Sequence, residues 1–192
     1  MKASTVAKIL PFYAVIISLV FFAIFSHSQS LQRLERSVSQ LENKPTLPTS
    51  ATNLTGYPVQ ITLPEVQIDL PVGKGVYNNQ KRQWVVSEDK ADFATITAAP
   101  NNTRGITLIY AHRKKSLFGL TEKLKVGDKA LIQTDNHLLF EYEYVSDQVV
   151  LPSDLSVFRA EATPKLVLLT CAGSWDSQRR LMFFKLNEVK NL

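Results

Sequence analysis

From residue 59 onward the chain never sustains a long periodic run. Short stretches rich in Val, Ile, Leu, Thr, Tyr and Phe alternate with turns carrying Pro, Gly and Asn. That rhythm restricts the fold to many short strands, because each stretch ends at residues that break a ladder or supply turn conformations. The spacing predicts strands over 59–63, 66–70, 84–86, 106–111, 129–134, 138–145, 166–170 and 181–186. Pro71-Val-Gly-Lys-Gly75, Asn78-Asn79, Pro100-Asn-Asn102, Gly127-Asp128 and Asp135-Asn136 lie between them. Helical pattern is sparse, with short helices expected only over 87–93 and 117–124. An all-β domain follows, as a closed barrel or a sandwich, since such folds leave few sheet edges exposed.

The N-terminal part is of another kind. Residues 9–25 are almost wholly apolar, and no charge lies between Lys8 and Arg33. Such a run is expected to be an uncleaved transmembrane helix over 9–26, since Ser26-His-Ser28 makes a poor cleavage site. Lys8 abutts the run, which favours residues 1–8 inside the cell and the rest of the chain outside the cytoplasm. Leu31, Leu34, Val38 and Leu41 then mark one stripe of an amphipathic stalk, and 44–58 has the Pro/Thr-rich composition of a linker. The organisation expected is therefore anchor, stalk and linker over 27–58, and one globular domain over 59–192.

Lys and Arg total 22 against 17 acidic residues, a net charge of +5, but the two signs are interleaved. This describes a solvated surface suited to an anionic envelope, with no nucleic-acid partner expected. A single cysteine excludes an intramolecular disulfide and leaves no pattern for structural zinc. No cofactor is expected, and nothing in the acidic residues marks a calcium site.

That cysteine, Cys171, ends the apolar run 165–170, and Arg179 and Arg180 open the next run. Upstream, the run from Gly105 ends at His112. A thiolate is the reactive form of cysteine, and nearby cations poise it for attack on an amide carbonyl. Imidazole is matched to proton transfer near neutral pH, so His112 is the candidate acid and base. His27, beside the membrane segment, and His137, in a turn after Asp135-Asn136, read as surface residues. An arginine beside Cys171 would donate to a developing oxyanion.

These elements, in this order, resemble the sortases, the membrane-anchored cysteine transpeptidases of bacterial surfaces. The resemblance covers 59–186. It rests on Ile61-Thr-Leu-Pro64, Ile68-Asp-Leu-Pro-Val72, Ile109-Tyr-Ala-His112-Arg113, Phe118-x-x-Leu and Leu124-x-x-Gly127-Asp128. Val150-Leu-Pro152-Ser-Asp154 and Leu168-Leu-Thr170-Cys171, followed by Arg and an apolar strand, complete it. It implies a closed barrel of about eight strands. It also implies cleavage of a C-terminal LPxTG-like sorting signal on secreted proteins, a thioacyl-enzyme on Cys171, and transfer to a cell-wall precursor amine. Asp154 and the loop to Lys165 resemble the segment that covers the sorting peptide, and Thr170 is expected to contribute backbone to the site; both are substrate-binding candidates. Ala111 stands where Gly often precedes the histidine, and Phe184 where a small residue is usual. No aromatic lid segment precedes the barrel, so a surface-anchoring enzyme is expected rather than a pilin polymerase.

Two other classes compete. A different thiol hydrolase would order its residues otherwise: an L,D-transpeptidase shows Gly-Cys-apolar-Arg, and a papain-like peptidase places Cys before His. A membrane-tethered β-barrel that only binds envelope ligands would not be captured covalently at Cys171. Between the arginines, strand alternation groups Arg180 with Met182, Phe184 and Leu186, and Arg179 with Leu181, Phe183 and Lys185. The all-apolar set is the expected barrel interior, where an unpaired Arg180 would be costly. Arg179 is therefore expected to face the groove beside Cys171, with Arg180 as the alternate should a bulge open the strand.

Overall fold

The computed structural model describes residues 53–80 and 83–192. The expected membrane segment 9–26, the stalk helix and His27 lie outside the described residues. Among those described, no helix is long and apolar enough to cross a membrane.

Ten strands form: β1 (Pro58–Leu63), β2 (Ile68–Lys74), β3 (Val76–Asn78), β4 (Gln83–Val85), β5 (Ala91–Phe93), β6 (Gly105–Tyr110), β7 (Lys129–Thr134), β8 (Leu138–Val150), β9 (Pro164–Ala172) and β10 (Gln178–Asn191). Eight close into a barrel in the order β1-β2-β5-β6-β9-β10-β8-β7, and β3 and β4 pair as a separate hairpin. Only β2–β5 and β6–β9 are parallel pairs; the other barrel pairings are antiparallel.

The strand pattern differs most from expectation over 76–93. Residues 87–93, expected as a helix, form a bend followed by β5, while the expected strand around Trp84 leaves the barrel for the hairpin. The cause is local. Asp92 accepts hydrogen bonds from the Ser87 amide at 2.7 Å and the Ser87 hydroxyl at 2.8 Å, a side-chain loop that competes with helical bonding. Ala91, Asp92 and Phe93 are all buried, so the short β5 fills the gap between β2 and β6. Residues 117–124 do wind, but as a 3-10 helix over Phe118–Lys123. The chain is already tied to the barrel ahead of β1. The Leu54 amide donates to Asn102 Oδ1 at 3.0 Å and Thr55 bridges Asn101, so the end of the linker is already tied down.

Two apolar clusters lie on either side of the barrel wall. One fills the interior, with Ile61, Ile109, Ile132, Phe140, Tyr142, Leu166, Leu168, Met182 and Phe184 all fully buried. The second lies outside β6, β9 and β10, where Ile106, Leu108, Tyr110, Val167 and Leu181 pack with Ala94, Val150 and Val157. Alternation along these three strands sends odd and even residues to opposite clusters, so the middle of the sheet is apolar on both faces.

Toward one end of the wall, Arg180 Nε donates to Asp147 Oδ2 at 2.7 Å, and its Nη1 donates to the Thr121 carbonyl at 3.2 Å. The Tyr144 hydroxyl donates to Asp147 Oδ1 at 2.7 Å. The guanidinium, with Tyr144 assisting, holds the Asp147 carboxyl below the usual range. Burial and the adjacent Asp147 carboxylate push the Tyr144 phenol up to about 12. Asp147→Asn should lower unfolding stability at neutral pH by about 1–2 kcal/mol, less than a fully buried pair because the carboxylate is partly open to solvent. A depressed carboxyl pKa stabilises above the unfolded value and ceases to do so as pH falls through the folded one. The gap between wild type and variant, measured by denaturant unfolding, should therefore be widest near pH 7 and close as pH drops below about 4.

Candidate active site

The strands β6, β9 and β10 lie side by side, and their ends carry the candidate residues. Tyr110 of β6 is level with Leu169 of β9, and Cys171 of β9 is level with Arg179 of β10. Leu108 and Tyr110, Val167 and Leu169, and Leu181 and Phe183 face the outer cluster. Two residues further along the same faces come His112, Cys171 and Arg179. The imidazole, thiol and guanidinium are thus brought to one edge of one face by register alone. Pairing from Arg179 to Phe183 runs without a shift against both β8 and β9, so no bulge reverses the faces at the start of β10.

Arg180 falls on the interior side with Met182 and Phe184, but it is not the unpaired cation that the alternation argument supposed. Asp147, on the extended end of β8, neutralises it. That extension, from Ser146 to Val150, went beyond the strand expected over 138–145.

Thr170 is buried, and its hydroxyl donates to the Ala111 carbonyl at 2.9 Å. It staples the strand that ends in Cys171 to the one that ends in His112, leaving only its backbone for the expected substrate-binding role. Arg113 makes a second tie: its Nη2 donates to the Gly173 carbonyl and to Asp176 Oδ1, each at 3.2 Å. These bonds join the residue after His112 to the turn after Cys171. That turn is strained, with Trp175 and Asp176 at φ 56° and the Trp175 side chain fully exposed. Gly173, at φ 72°, permits the entry.

A groove of about 770 Å³ runs from this edge over the outer cluster. Leu108, Tyr110, Leu169 and Leu181 form its floor, and His112 and Arg179 stand at its polar end. Asp154 lines it too, but its carboxylate accepts from the Ser156 amide at 2.7 Å, so it also shapes the loop. Hydrogen bonds from Ser156 hold the Asp154 carboxyl below the usual range. Cys171 is partly exposed, one pleat beyond the floor residue Leu169. Arg179 Nη1 donates to the carbonyls of Asp176 and Gln178, at 2.9 and 2.8 Å, which fixes the guanidinium at the turn; Nε and Nη2 carry further donors. His137 occupies a turn at φ 63°, outside this groove.

The hairpin is the part of the site that sequence reasoning missed. Tyr77 and Trp84 meet edge to face at 5.4 Å, Trp84 tilts onto Tyr110 at 5.8 Å, and both line the groove as a side wall. The Tyr110 hydroxyl donates to the Val85 carbonyl at 3.0 Å, and burial, with Asp92 nearby, pushes its pKa well up so that it stays a donor. Gly75 sits at the hairpin's root because a Cβ there would collide with Tyr110 Oη and the Phe93 carbonyl. Glu88, in the bend after β4, also reaches the groove, with Oε1 3.4 Å from His112 Nε2. A Tyr-x₆-Trp pair around Asn78-Asn79 was the legible hint of a hairpin. Among the described residues, no group of His, Cys, Asp and Glu is placed to hold a metal ion.

Comparison with curated proteins found no match. Among solved structures, sortase A from Corynebacterium diphtheriae aligns at TM-score 0.58 and 21% identity, covering 70% of this chain and 62% of that one. Sortase A of Listeria monocytogenes aligns at TM-score 0.59 and 23% identity, covering 70% and 90%. Streptococcus agalactiae sortase C1 aligns at 0.58 and 21%, covering 67% and 66%. At such identities these likenesses establish the fold, and they extend to both the A and the C types. The model of the sortase domain matches residues 61–186, from the first barrel strand through the last groove-lining strand. With that match spanning most of the chain and both candidate strand ends, the chain belongs to the sortase family of cysteine transpeptidases.

Proposed function

We propose that this chain cleaves an LPxTG-like sorting signal at the C-terminus of secreted proteins and transfers the new carboxyl end to a cell-wall amine. In this reading it acts from the outer face of the membrane, anchored through residues 9–26. The observation that carries the proposal is the convergence of His112, Cys171 and Arg179 at the polar end of an apolar groove. From Leu108 to His112 the lining spans four strand steps, about 13 Å, which suits a few extended residues on the acyl side of a cysteine.

The chemistry follows from the groups. The Cys171 thiolate adds to the carbonyl carbon of the scissile amide, and Arg179 donates to the oxygen as it gains charge. Collapse breaks the C–N bond, and His112 gives its proton to the departing amine, leaving a thioester on Cys171. The incoming amine then attacks the thioester, a C–N bond forms, the C–S bond breaks, and His112 takes the amine's proton while the thiolate is restored. No water or cofactor is consumed. The apolar floor favours this balance by excluding water from the thioester.

The reading is tested by mixing purified protein with a sorting-signal peptide and an amine acceptor. Cys171→Ala should keep the fold and form no covalent adduct by mass spectrometry; transfer by this variant would refute the mechanism. His112→Ala should lose about a hundredfold or more in kcat/KM, whereas His137→Ala should stay near wild type.

A sharper comparison separates the arginines. Arg179→Ala should cost on the order of a hundredfold in kcat with little change in the unfolding midpoint, as for a lost oxyanion donor. Arg180→Ala should instead act chiefly on stability, because it strands Asp147. The reverse pattern would move the catalytic guanidinium to the other face of β10.

A further inference from the structure

Glu88 stands in the bend between β4 and β5 with its carboxylate between His112 and Lys114, two side chains of the segment that follows β6. Its Oε1 lies 3.4 Å from His112 Nε2, and its Oε2 accepts from Lys114 Nζ. The bend is fixed from beneath. The buried Asp92 carboxylate takes both the amide and the hydroxyl of Ser87, and the Tyr110 hydroxyl takes the Val85 carbonyl. The bend that carries Glu88 is thus held by bonds that involve neither His112 nor Lys114. The hydrogen bond and charge of Lys114, with a smaller contribution from His112, hold the Glu88 carboxyl below the usual range, so it is an anion throughout the neutral region.

A carboxylate can only accept a hydrogen bond, so its approach to 3.4 Å favours a proton on the imidazole nitrogen that faces it. We propose that Glu88 is a positioning residue for His112: it keeps a proton on Nε2 and orients the ring so that Nδ1 exchanges protons with the departing and incoming amines. This rests on the transpeptidase reading given above. The arrangement follows the general logic of a base oriented by a third group. Glu88 supplies this from an exposed position, which makes the contribution modest and adjustable.

Lys114 is the adjusting group. It shares the carboxylate, and so weakens what Glu88 offers His112. The other charged or titratable groups around the imidazole come from separate elements: Arg179 from β10, Asp154 from the loop before β9, Cys171 from β9, and Tyr110 from β6. Arg113 is turned away to Gly173 and Asp176. None of these touches the Glu88 carboxylate in the described contacts, so substitutions at Glu88 and Lys114 act on His112 with opposite sign.

The full-length chain in detergent serves for the test, with peptide transfer to hydroxylamine measured across pH. Removing the carboxylate withdraws a partner of the imidazolium, so in Glu88→Gln the imidazole's limb of the kcat/KM profile should move to lower pH. Near neutral pH kcat/KM should fall about two- to fivefold. Lys114→Met leaves the carboxylate wholly to His112 and should move the same limb to higher pH. Nitrogen-15 spectra of histidine-labelled protein, assigned by the peaks lost in His112→Ala, should show neutral His112 with its proton on Nε2 in wild type. In Glu88→Gln they should show a mixture of the two tautomers. Unchanged profiles in both variants, together with an unchanged tautomer, would overturn the proposal. Should the wild type transfer no peptide, the transpeptidase reading falls, and the tautomer spectra alone still decide whether Glu88 positions the ring.

Discussion

The pairing of β6, β9 and β10 is the constraint on which the rest of the structure depends. Each strand buries one face in the barrel interior and the other in the outer cluster. A slip of one residue would exchange the two faces along the whole strand and move every apolar side chain to the wrong cluster. Two-sided burial therefore locks the register far more firmly than a sheet with one wet face could. The candidate site residues inherit that precision without packing of their own. His112, Cys171 and Arg179 stand just past the last buried residues, where the register still governs direction but solvent and substrate can reach.

Polar staples finish what register begins. Thr170 to Ala111 and Arg113 to Gly173 and Asp176 join the segments that carry the thiol and the imidazole, through bonds of 2.9 and 3.2 Å. On the opposite face of β10, Arg180 is held by Asp147 and the Thr121 carbonyl. Adjacent arginines thus serve unlike ends because alternation sends them to opposite sides of one strand. One closes a charge pair at the barrel wall, and the other stands at the head of the groove.

Much of this was legible in the sequence. Seven of the expected strands became barrel strands because their apolar stretches were long enough to reveal period two, and the order of His, Cys and Arg marked the strand ends. What escaped lay between 75 and 93. Ala91–Phe93 is too short to show alternation, and its neighbours Ser87 to Lys90 are polar enough to pass for a helix start. A long-range parallel pairing with β2 decides it, which no local window contains. With that stretch misread, Glu88 and the Trp84 wall could not be placed in the groove. Arg180 was misjudged for a similar reason: its partner Asp147 sits 33 residues away, on a strand extension that exposed side chains disguise as loop.

The hairpin gives the groove one wall of quite different mechanical character from its floor. The floor is the doubly buried sheet, whose amides can exchange with solvent only when the barrel itself opens. The wall is a three-by-three-residue ribbon whose anchors include Trp84 on Tyr110 and the Tyr110 hydrogen bond to the Val85 carbonyl, and two-stranded ribbons of that size are marginal alone. The groove's width and the domain's global unfolding thus belong to separate cooperative units. Substitutions at exposed ribbon positions such as Tyr77 and Gln83 can remodel what the groove admits while leaving the barrel's folding free energy nearly untouched, so selectivity has room to diverge without endangering the scaffold.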